Sequence, residues 1–398
     1  MRGSPSGFTE IPGAVCAASG FRAAGVAAGL KRSGGLDLAL ILSVEPAAVA
    51  GVFTSHRAAA APVHVSRERV AGGTGQVIVV NAGCANAVTG PRGRRDAEAM
   101  AAEAAAAVGV GPALALVCST GKIGNFLAMD RVSRGIAEAA GRLGTDDAAA
   151  ADAILTTDTR RKTAAVSHAD GWRLGGMAKG AGMIAPDMAT MLAFITTDAV
   201  VAPDLLQKAL AAAVNDSFNA ISVDGECSTN DTVLVLANGA SGVTPPADDV
   251  AAALGLVCGS LARAIVEDGE GATKFVRVVV RGARTPEEAR RAARSVAESP
   301  LLKCALFGED ANWGRVAAAL GKTDVGLDLD SLSIAMGGVT LFDRGEPAGG
   351  DAEGRAHEGL TAHEVSIDCD LGVGDASGEI LTTDFSHGYV DINAAYEP

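Results

Sequence analysis

The sequence predicts an α+β layered sandwich. Short apolar runs of strand type mix irregularly with helices, and no regular βαβ repeat appears, which argues against a doubly wound sheet. Fifty glycines in 398 residues mark frequent turns. With only 4% aromatic residues, the core has to be built from Ala, Val, Leu and Ile in close-packed layers. The length exceeds the usual size of one domain, so two domains or lobes are expected.

Residues 36–42 and 76–80 are apolar runs between turn signals and read as buried strands. Residues 96–108 form an alanine-rich helix closed by Gly109. A strand over 114–117 feeds C-S-T-G-K-I-G at 118–124, where Ser119, Thr120 and Gly121 end the strand and precede a turn. A helix follows at about 146–155, then a glycine-rich loop and a strand over 191–195. Pro203 opens a helix to Val214 from its first turn. Residues 232–237 and 275–280 are strands. T-P-E-E at 285–288 is a capping box with proline at the first helical position, starting a helix to Ala297. Residues 348–359 are polar and glycine-rich and read as a surface loop.

Composition narrows the function classes. The formal net charge of −14, without a basic stretch, argues against a nucleic-acid partner. Seven cysteines with no C-x-x-C pair fit reduced thiols, and six histidines without H-x-x-x-H spacing give no zinc signature. No apolar run approaches the ~18 residues of a membrane span, and the first residues lack the apolar stretch of a signal peptide. The expected location is therefore cytoplasmic, with no membrane partner. No P-loop, G-x-S-x-G elbow or dinucleotide fingerprint is present; G-V-G-D-A-S-G at 372–378 is spaced wrongly for the last.

Four stretches could carry chemistry. K-G-A-G-M-I-A-P-D-M-A-T at 179–190 places Thr190 directly after Ala189, between a glycine-rich loop and an apolar run. Cleavage before Thr190 would leave a threonine whose own α-amine serves as base for its hydroxyl. Gly180 and Gly182 give the approach its backbone freedom; the alternative is that Thr190 merely starts a strand. The Thr120 hydroxyl and the Gly121 N–H could form an oxyanion hole or a simple turn. E-D-G-E-G-A-T-K at 267–274 offers a carboxylate for proton transfer at an amine, a solvated turn or a cation loop. D-G-E-C-S-T-N-D-T at 224–232 could ligate calcium, although it lacks the rhythm of an EF-hand loop.

Together these stretches resemble the ornithine acetyltransferases (glutamate N-acetyltransferases) of arginine biosynthesis. The likeness runs from G-F-R-A-A-G-V-A-A-G at 20–29 to Y-V-D-I-N at 389–393, through K-G-A-G-M-I-A-P-D-M-A-T-M-L, S-T-G-K-I-G, D-G-E-C-S-T-N-D-T, D-G-E-G-A-T-K-F and F-G-E-D-A-N-W-G-R. Five long motifs in order are far more specific than any one alone. The resemblance implies an αββα architecture of the N-terminal-nucleophile type and self-cleavage between Ala189 and Thr190. The fragments 1–189 and 190–398 would stay together as a heterotetramer of two of each. It implies that Thr190 takes acetyl from N2-acetylornithine and passes it to glutamate with ping-pong kinetics. Thr120 and Gly121 carry over as the oxyanion hole. Thr156, Lys179, Glu270 and Asn393 carry over as substrate-contacting positions, with Glu270 also catalytic. No cofactor or metal is implied, unless acetyl-CoA also serves as acetyl donor.

The chain departs from that pattern in places. It ends Tyr396-Glu397-Pro398 where the family usually ends in threonine or serine, and proline has neither hydroxyl nor N–H. Lys122 stands for an apolar residue, Cys84 for asparagine and Cys227 for threonine. These changes motivate one alternative, a paralogue with a different acceptor or acyl donor in specialised metabolism. Others are an N-terminal-nucleophile amidohydrolase that passes the acyl group to water, and a non-catalytic binding protein that never matures.

Overall fold

The computed structural model describes residues 7–185 and 191–395. Two compact units are present, one from residues 7–219 and 226–265, the other from 220–225 and 266–395.

The first unit contains β1 (Phe8–Glu10), β2 (Phe21–Val26), β3 (Leu38–Phe53), α1 (Ala61–Val70), β4 (Thr74–Cys84), α2 (Gly90–Val108), β5 (Ala115–Lys122), α3 (Met129–Gly141), α4 (Ala148–Ala153), β6 (Lys162–His168), β7 (Arg173–Lys179), β8 (Leu192–Thr197), α5 (Pro203–Asn215), β9 (Thr232–Ala237) and α6 (Ala247–Glu267). Its strands join in the order β1-β6-β7-β8-β9-β3-β4-β5, with β2 paired to β3. The long β3 explains this connectivity. Its first half pairs with β2 and β4, a register shift follows between Leu42 and Ala47, and its second half pairs with β9.

Period-two alternation then sorts the side chains. Ile41, Ile78, Val80, Leu116 and Cys118 share one core with Met177, Phe194 and Leu234 from the far half of the sheet, so the sheet faces itself. Leu38, Leu40, Val77, Val79 and Val117 point the other way, onto Met100, Ala104 and Ile136 of α2 and α3. On the opposite outer face Gly176 of β7 lies against Leu261 of α6, and Gln207 of α5 exchanges two hydrogen bonds with Gly51 of β3. Helices thus cover both outer faces of a folded sheet. Strands buried on both faces read as unbroken apolar runs, which is why their alternation is hard to see in the sequence.

The second unit contains β10 (Phe275–Ala283), α7 (Pro286–Ala297), α8 (Pro300–Phe307), α9 (Trp313–Gly321), β11 (Ser333–Met336), β12 (Val339–Asp343), β13 (Glu346–Pro347), α10 (Ala352–Leu360), β14 (Glu364–Asp370), β15 (Ala376–Thr383) and α11 (His387–Ala394). The sheet order is β13-β12-β11-β14-β10-β15, parallel only between β10 and β14. Val276, Val278 and Val280 face Ala292, Val296, Val316 and Leu320 of the helices. Arg277 and Arg281 on the other face pair with Glu379 and Asp368. The result is a two-layer α+β unit, and the α+β layered fold holds for both.

Several expected elements hold in place. Gly109 closes α2 in the left-handed conformation, and Thr285 caps α7 by accepting the Glu288 N–H at 3.2 Å. Three readings are corrected. The strand expected over 114–117 runs on to Lys122, so Thr120 and Gly121 are paired strand residues. The loop expected over 348–359 contains α10, because Ala352, Ala356 and Leu360 recur every four residues and reach the core. The apolar helix α6 spans 21 residues with hydropathy 1.7, long and apolar enough by composition to cross a membrane. Its Val250, Leu254, Val257, Leu261 and Ile265 are buried at helical spacing, the pattern of a core helix.

Candidate active site

Thr120 and Gly121 sit where β5 meets β4. Gly121 adopts φ 125°, and a Cβ there would come within 2.4 Å of the Gly83 carbonyl carbon, so only glycine fits. The backbones stay aligned because Ser119 Oγ donates to Asn81 Oδ1 at 2.6 Å and Asn81 Nδ2 donates to the Cys84 carbonyl at 2.8 Å. From the segment just before β9, Asn230 Nδ2 donates to the carbonyls of Ala85 at 2.7 Å and Ser119 at 2.8 Å. Thr120 is 3% exposed, so a group meeting its hydroxyl would do so largely shielded from water.

Asp231, the next residue, accepts the Met191 N–H at 2.9 Å on Oδ1. Its other oxygen, Oδ2, is buried with no hydrogen-bond partner among the described residues. Burial pushes this carboxyl well above the usual carboxylate range, against the opposing pull of the Met191 amide, the Lys179 ammonium and Ser228. The expected nucleophile Thr190 and its neighbour Ala189 lie outside the described residues.

Lys179 ends β7, 2% exposed. Its ammonium lies 4.0 Å from Asp158 Oδ2. Asp158 also takes the Lys162 ammonium at 2.6 Å, the Gly180 N–H at 2.6 Å and the Thr156 N–H at 3.0 Å. Burial opposes the ionisation of Asp158, but the Lys179 and Lys162 ammoniums and these hydrogen bonds outweigh it and hold the carboxyl at about 2. One carboxylate therefore ties together Lys179, the loop after it, Thr156 and Lys162.

In the second unit Glu270 Oε2 accepts from Asn393 Nδ2 at 2.8 Å, and the same Nδ2 reaches the Tyr389 carbonyl at 3.0 Å. The loop meets α11 closely: Gly271 has φ 65°, and a Cβ there would lie 2.2 Å from the Tyr389 nitrogen. Ser386 donates to the Gly271 carbonyl and accepts the Gly388 N–H at 3.0 Å. Asp384 takes the backbone N–H groups of Thr273 at 2.8 Å and Lys274 at 3.0 Å. Glu270 and Asn393, 123 positions apart, are thus neighbours.

The structure brings Thr156 and Lys179 together through Asp158, and Glu270 directly to Asn393. Asp158, Asn230 and Asp231 were not singled out in the sequence, although the last two sit inside a quoted motif and Asp158 stands four residues before Lys162, the spacing of a local ion pair. In the 224–232 stretch Asp224 turns to the Tyr389 hydroxyl at 3.3 Å and Asp231 to Met191, so the two carboxylates serve separate partners. Of the departures, Cys84 pairs in register with Thr120 and Lys122 and donates its thiol to the Asn125 carbonyl at 3.3 Å. Burial pushes that thiol up, so it acts as a packing group. Residues 396–398 lie outside the described residues.

The α+β layered fold, with a hydroxyl and a lysine at glycine-rich strand ends of one unit and a carboxylate–amide pair in the other, belongs to the acyltransferase class of enzymes, as the relatives of the chain bear out. More narrowly, the chain belongs to the ArgJ family, which it matches over residues 22–398. It is 47% identical over 384 residues to the arginine biosynthesis bifunctional protein ArgJ of Streptomyces coelicolor, covering 96% of this chain and 99% of that one. It is likewise 47% identical over 389 residues to the protein of the same name from Geobacter sulfurreducens, covering 95% and 98%. Among solved structures, ornithine acetyltransferase complexed with ornithine from Mycobacterium tuberculosis is 44% identical, with a TM-score of 0.44 and coverage of 45% of this chain and 98% of that one.

Proposed function

We propose that this enzyme moves acetyl from N2-acetylornithine to glutamate through an acetyl-Thr190 intermediate, after cleaving itself between Ala189 and Thr190 into fragments 1–189 and 190–398. The observation that carries the reading is the Asn230–Asp231 pair. Asn230 binds the carbonyl of the residue before Thr120 and Asp231 binds the amide of the residue after Thr190, which couples two stretches about seventy positions apart in sequence. A nucleophile and an oxyanion hole need such a tie, since misplacement by about 1 Å can cost 10²-fold in rate.

The proposed chemistry runs in two halves. The Thr190 α-amine takes the hydroxyl proton as Oγ attacks the acetyl carbonyl, and the Thr120 hydroxyl and Gly121 N–H donate to the developing oxyanion. Collapse breaks the amide bond, and the ornithine amine leaves after gaining a proton, which Glu270 is assigned to supply. In the second half the glutamate amine attacks the acetyl-threonine ester and gives its proton to Glu270. The Thr190 α-ammonium returns its proton to the departing Oγ, so the threonine hydroxyl and the free amine are both restored. Lys179 is suited to a substrate carboxylate, with Thr156 and Asn393 as further contacts. Nothing in this scheme needs a metal or cofactor; acetyl-CoA as an alternative donor would enter through the same acetyl-threonine. The mature enzyme is proposed as a heterotetramer acting in the cytoplasm.

Mass spectrometry tests the reading. Wild-type protein should appear as two fragments that together account for 39.7 kDa, and acetylornithine without acceptor should add one acetyl group to the peptide beginning at Thr190. Thr190→Ala should remain a single chain with no turnover. Rapid release of ornithine without glutamate would favour an amidohydrolase instead, and a better acceptor than glutamate in a panel of amino acids would favour a paralogue.

A further inference from the structure

The run T-T-D-F-S at 382–386 takes no part in the scheme above, yet it grips the loop that carries Glu270. Asp384 is 1% exposed. Its Oδ1 accepts both the Thr273 N–H at 2.8 Å and the Lys274 N–H at 3.0 Å, and its Oδ2 accepts the Thr273 hydroxyl. Two residues on, Ser386 donates to the Gly271 carbonyl. One residue before, Thr383 packs against Gly269, where a Cβ would come within 2.9 Å of Thr383 Cγ2. Glu270 itself sits in a turn closed by the Ala272 N–H, which donates to the Gly269 carbonyl at 2.9 Å. The end of β15 and the residues after it thus hold the main chain of the loop on both sides of Glu270.

We propose that Asp384 is the positioning residue for Glu270: it fixes the turn from which the glutamate springs, while Asn393 aims the carboxylate from 2.8 Å. The role rests on the reading of Glu270 as the acid and base of acetyl transfer. That reading asks one carboxyl to give a proton to the leaving amine and to take one from the attacking amine, so its place has to serve both halves. A hydrogen bond at the carboxylate alone leaves the main chain behind it free to shift. Asp384 supplies the missing constraint, because two of its three donors are backbone N–H groups and move only with the chain. Displacement of a catalytic group by about 1 Å can cost 10²-fold in rate. Enclosed and with both oxygens engaged, Asp384 acts through Glu270 rather than on substrate. A group that only stabilises the fold and one that positions Glu270 part ways once Glu270 has lost its acid function.

Asp384→Ala, Asp384→Asn and Glu270→Gln, together with the double variant Asp384→Ala/Glu270→Gln, test this beside wild type. Values of kcat and KM for acetylornithine and glutamate are taken per cleaved chain, counted by intact mass, with thermal unfolding alongside. Asp384→Ala should lose about 10²-fold in kcat, with KM for either substrate changed less than about threefold. In the Glu270→Gln background the same substitution should cost less than about threefold, since the two residues act as one unit. Asparagine keeps one oxygen for both N–H groups, and its NH2 can donate to the Thr273 hydroxyl oxygen, so Asp384→Asn should hold kcat within about tenfold of wild type. Should Asp384→Ala not fold, Thr273→Val takes its place, since that side chain is exposed. Loss of the hydroxyl bond to Oδ2 should then cut kcat about fivefold or more, and less than about twofold once Glu270 is glutamine. Wild-type kcat in the variant tested overturns the role. So does a loss that persists above those limits in the Glu270→Gln background, or an Asp384→Asn loss equal to that of Asp384→Ala. A wild type that transfers no acetyl, or a Glu270→Gln enzyme with wild-type kcat, overturns the reading of Glu270 and this role with it. An active wild type that needs Glu270 but is matched by its Asp384 variants overturns the role alone.

Discussion

Asp158 and Lys162 form an ion pair with 2.6 Å between Oδ1 and Nζ, both side chains fully enclosed. The same carboxylate holds Thr156, Gly180 and Lys179, so two of the positions assigned to substrate contact, Thr156 and Lys179, depend on one buried anion. Removing one member of such a pair leaves an uncompensated charge. Asp158→Ala should therefore lose about 3–5 kcal/mol of stability and raise KM for substrates whose carboxylate Lys179 would hold.

Acid should expose the same pair. The Asp158 carboxyl is held at about 2 in the folded protein, against an ordinary value near ~3.9. Its contribution is complete above the ordinary value and is lost as pH falls through the folded one. Urea midpoints should drop between about pH 4 and pH 2 in wild type, and by less over that window in Asp158→Asn. Equal drops in both proteins would mean that the pair does not hold Asp158 down.

Gly121 tests the strand end. Its Cβ position lies 2.4 Å from the Gly83 carbonyl carbon and 2.6 Å from the Cys84 nitrogen, all backbone, so Gly121→Ala must separate β4 from β5. Thr120→Ala removes a hydroxyl and leaves the pairing intact. Loss of one oxyanion donor costs about 10²–10³ in kcat, so Thr120→Ala should show such a loss with little change in melting temperature, whereas Gly121→Ala should lose both rate and stability. A Thr120→Ala enzyme with wild-type kcat would remove Thr120 from the oxyanion hole.

Glu270 and Asn393 should behave unequally. A positioned acid or base contributes about 10²–10⁴-fold, so Glu270→Gln should cut kcat on that scale. Asn393→Ala takes away the donor at 2.8 Å but leaves the carboxylate, and its loss should be smaller and weighted toward KM. Steady-state kinetics with acetylornithine and glutamate varied separately would separate the two; equal losses in kcat would contradict the division of roles.

What could be read in the sequence follows from how local the determining physics is. Gly109 and Thr285 act within one turn of their helices, so both helix ends were legible. The α10 helix was not, since Gly354, Gly359 and its polar residues suggest a loop, and only the burial of Ala352, Ala356 and Leu360 makes it a helix. The α6 helix is not picked out because Asp248 and Asp249 at its start and Arg263 and Glu267 near its end leave an uncharged run over 250–262 only, short of a membrane span. For the proposed site, Thr120, Lys179 and Glu270 are read from motifs. Asp158, Asn230 and Asp231 matter through hydrogen bonds to backbone groups distant in sequence, and such bonds leave no pattern in the residues themselves.

Lys303 gives a stability prediction away from the proposed chemistry. It is fully buried, donating from Nζ to Thr382 Oγ1 at 2.8 Å, to Thr383 Oγ1 at 3.2 Å and to the Thr383 carbonyl, with the Phe385 ring 4.8 Å away. Burial pushes the ammonium down to about 7, while Asp384, Asp224 and Glu298 pull it back up. In the unfolded chain its pKa returns to about 10.4. Between those values the unfolded state binds a proton that the folded state has shed, so wild-type stability gains from Lys303 as pH rises from about 7 toward 10. Below about 7 both states are protonated and the burial of the charge counts fully against the fold. Lys303→Met removes this proton difference but leaves buried acceptors without their donor, a cost of about 1–3 kcal/mol each. The variant should be clearly less stable than wild type at pH 9, with the gap narrowing at pH 6. Thermal unfolding across that range decides it: a gap that stays constant with pH would mean that Lys303 keeps its ordinary ammonium in the folded protein.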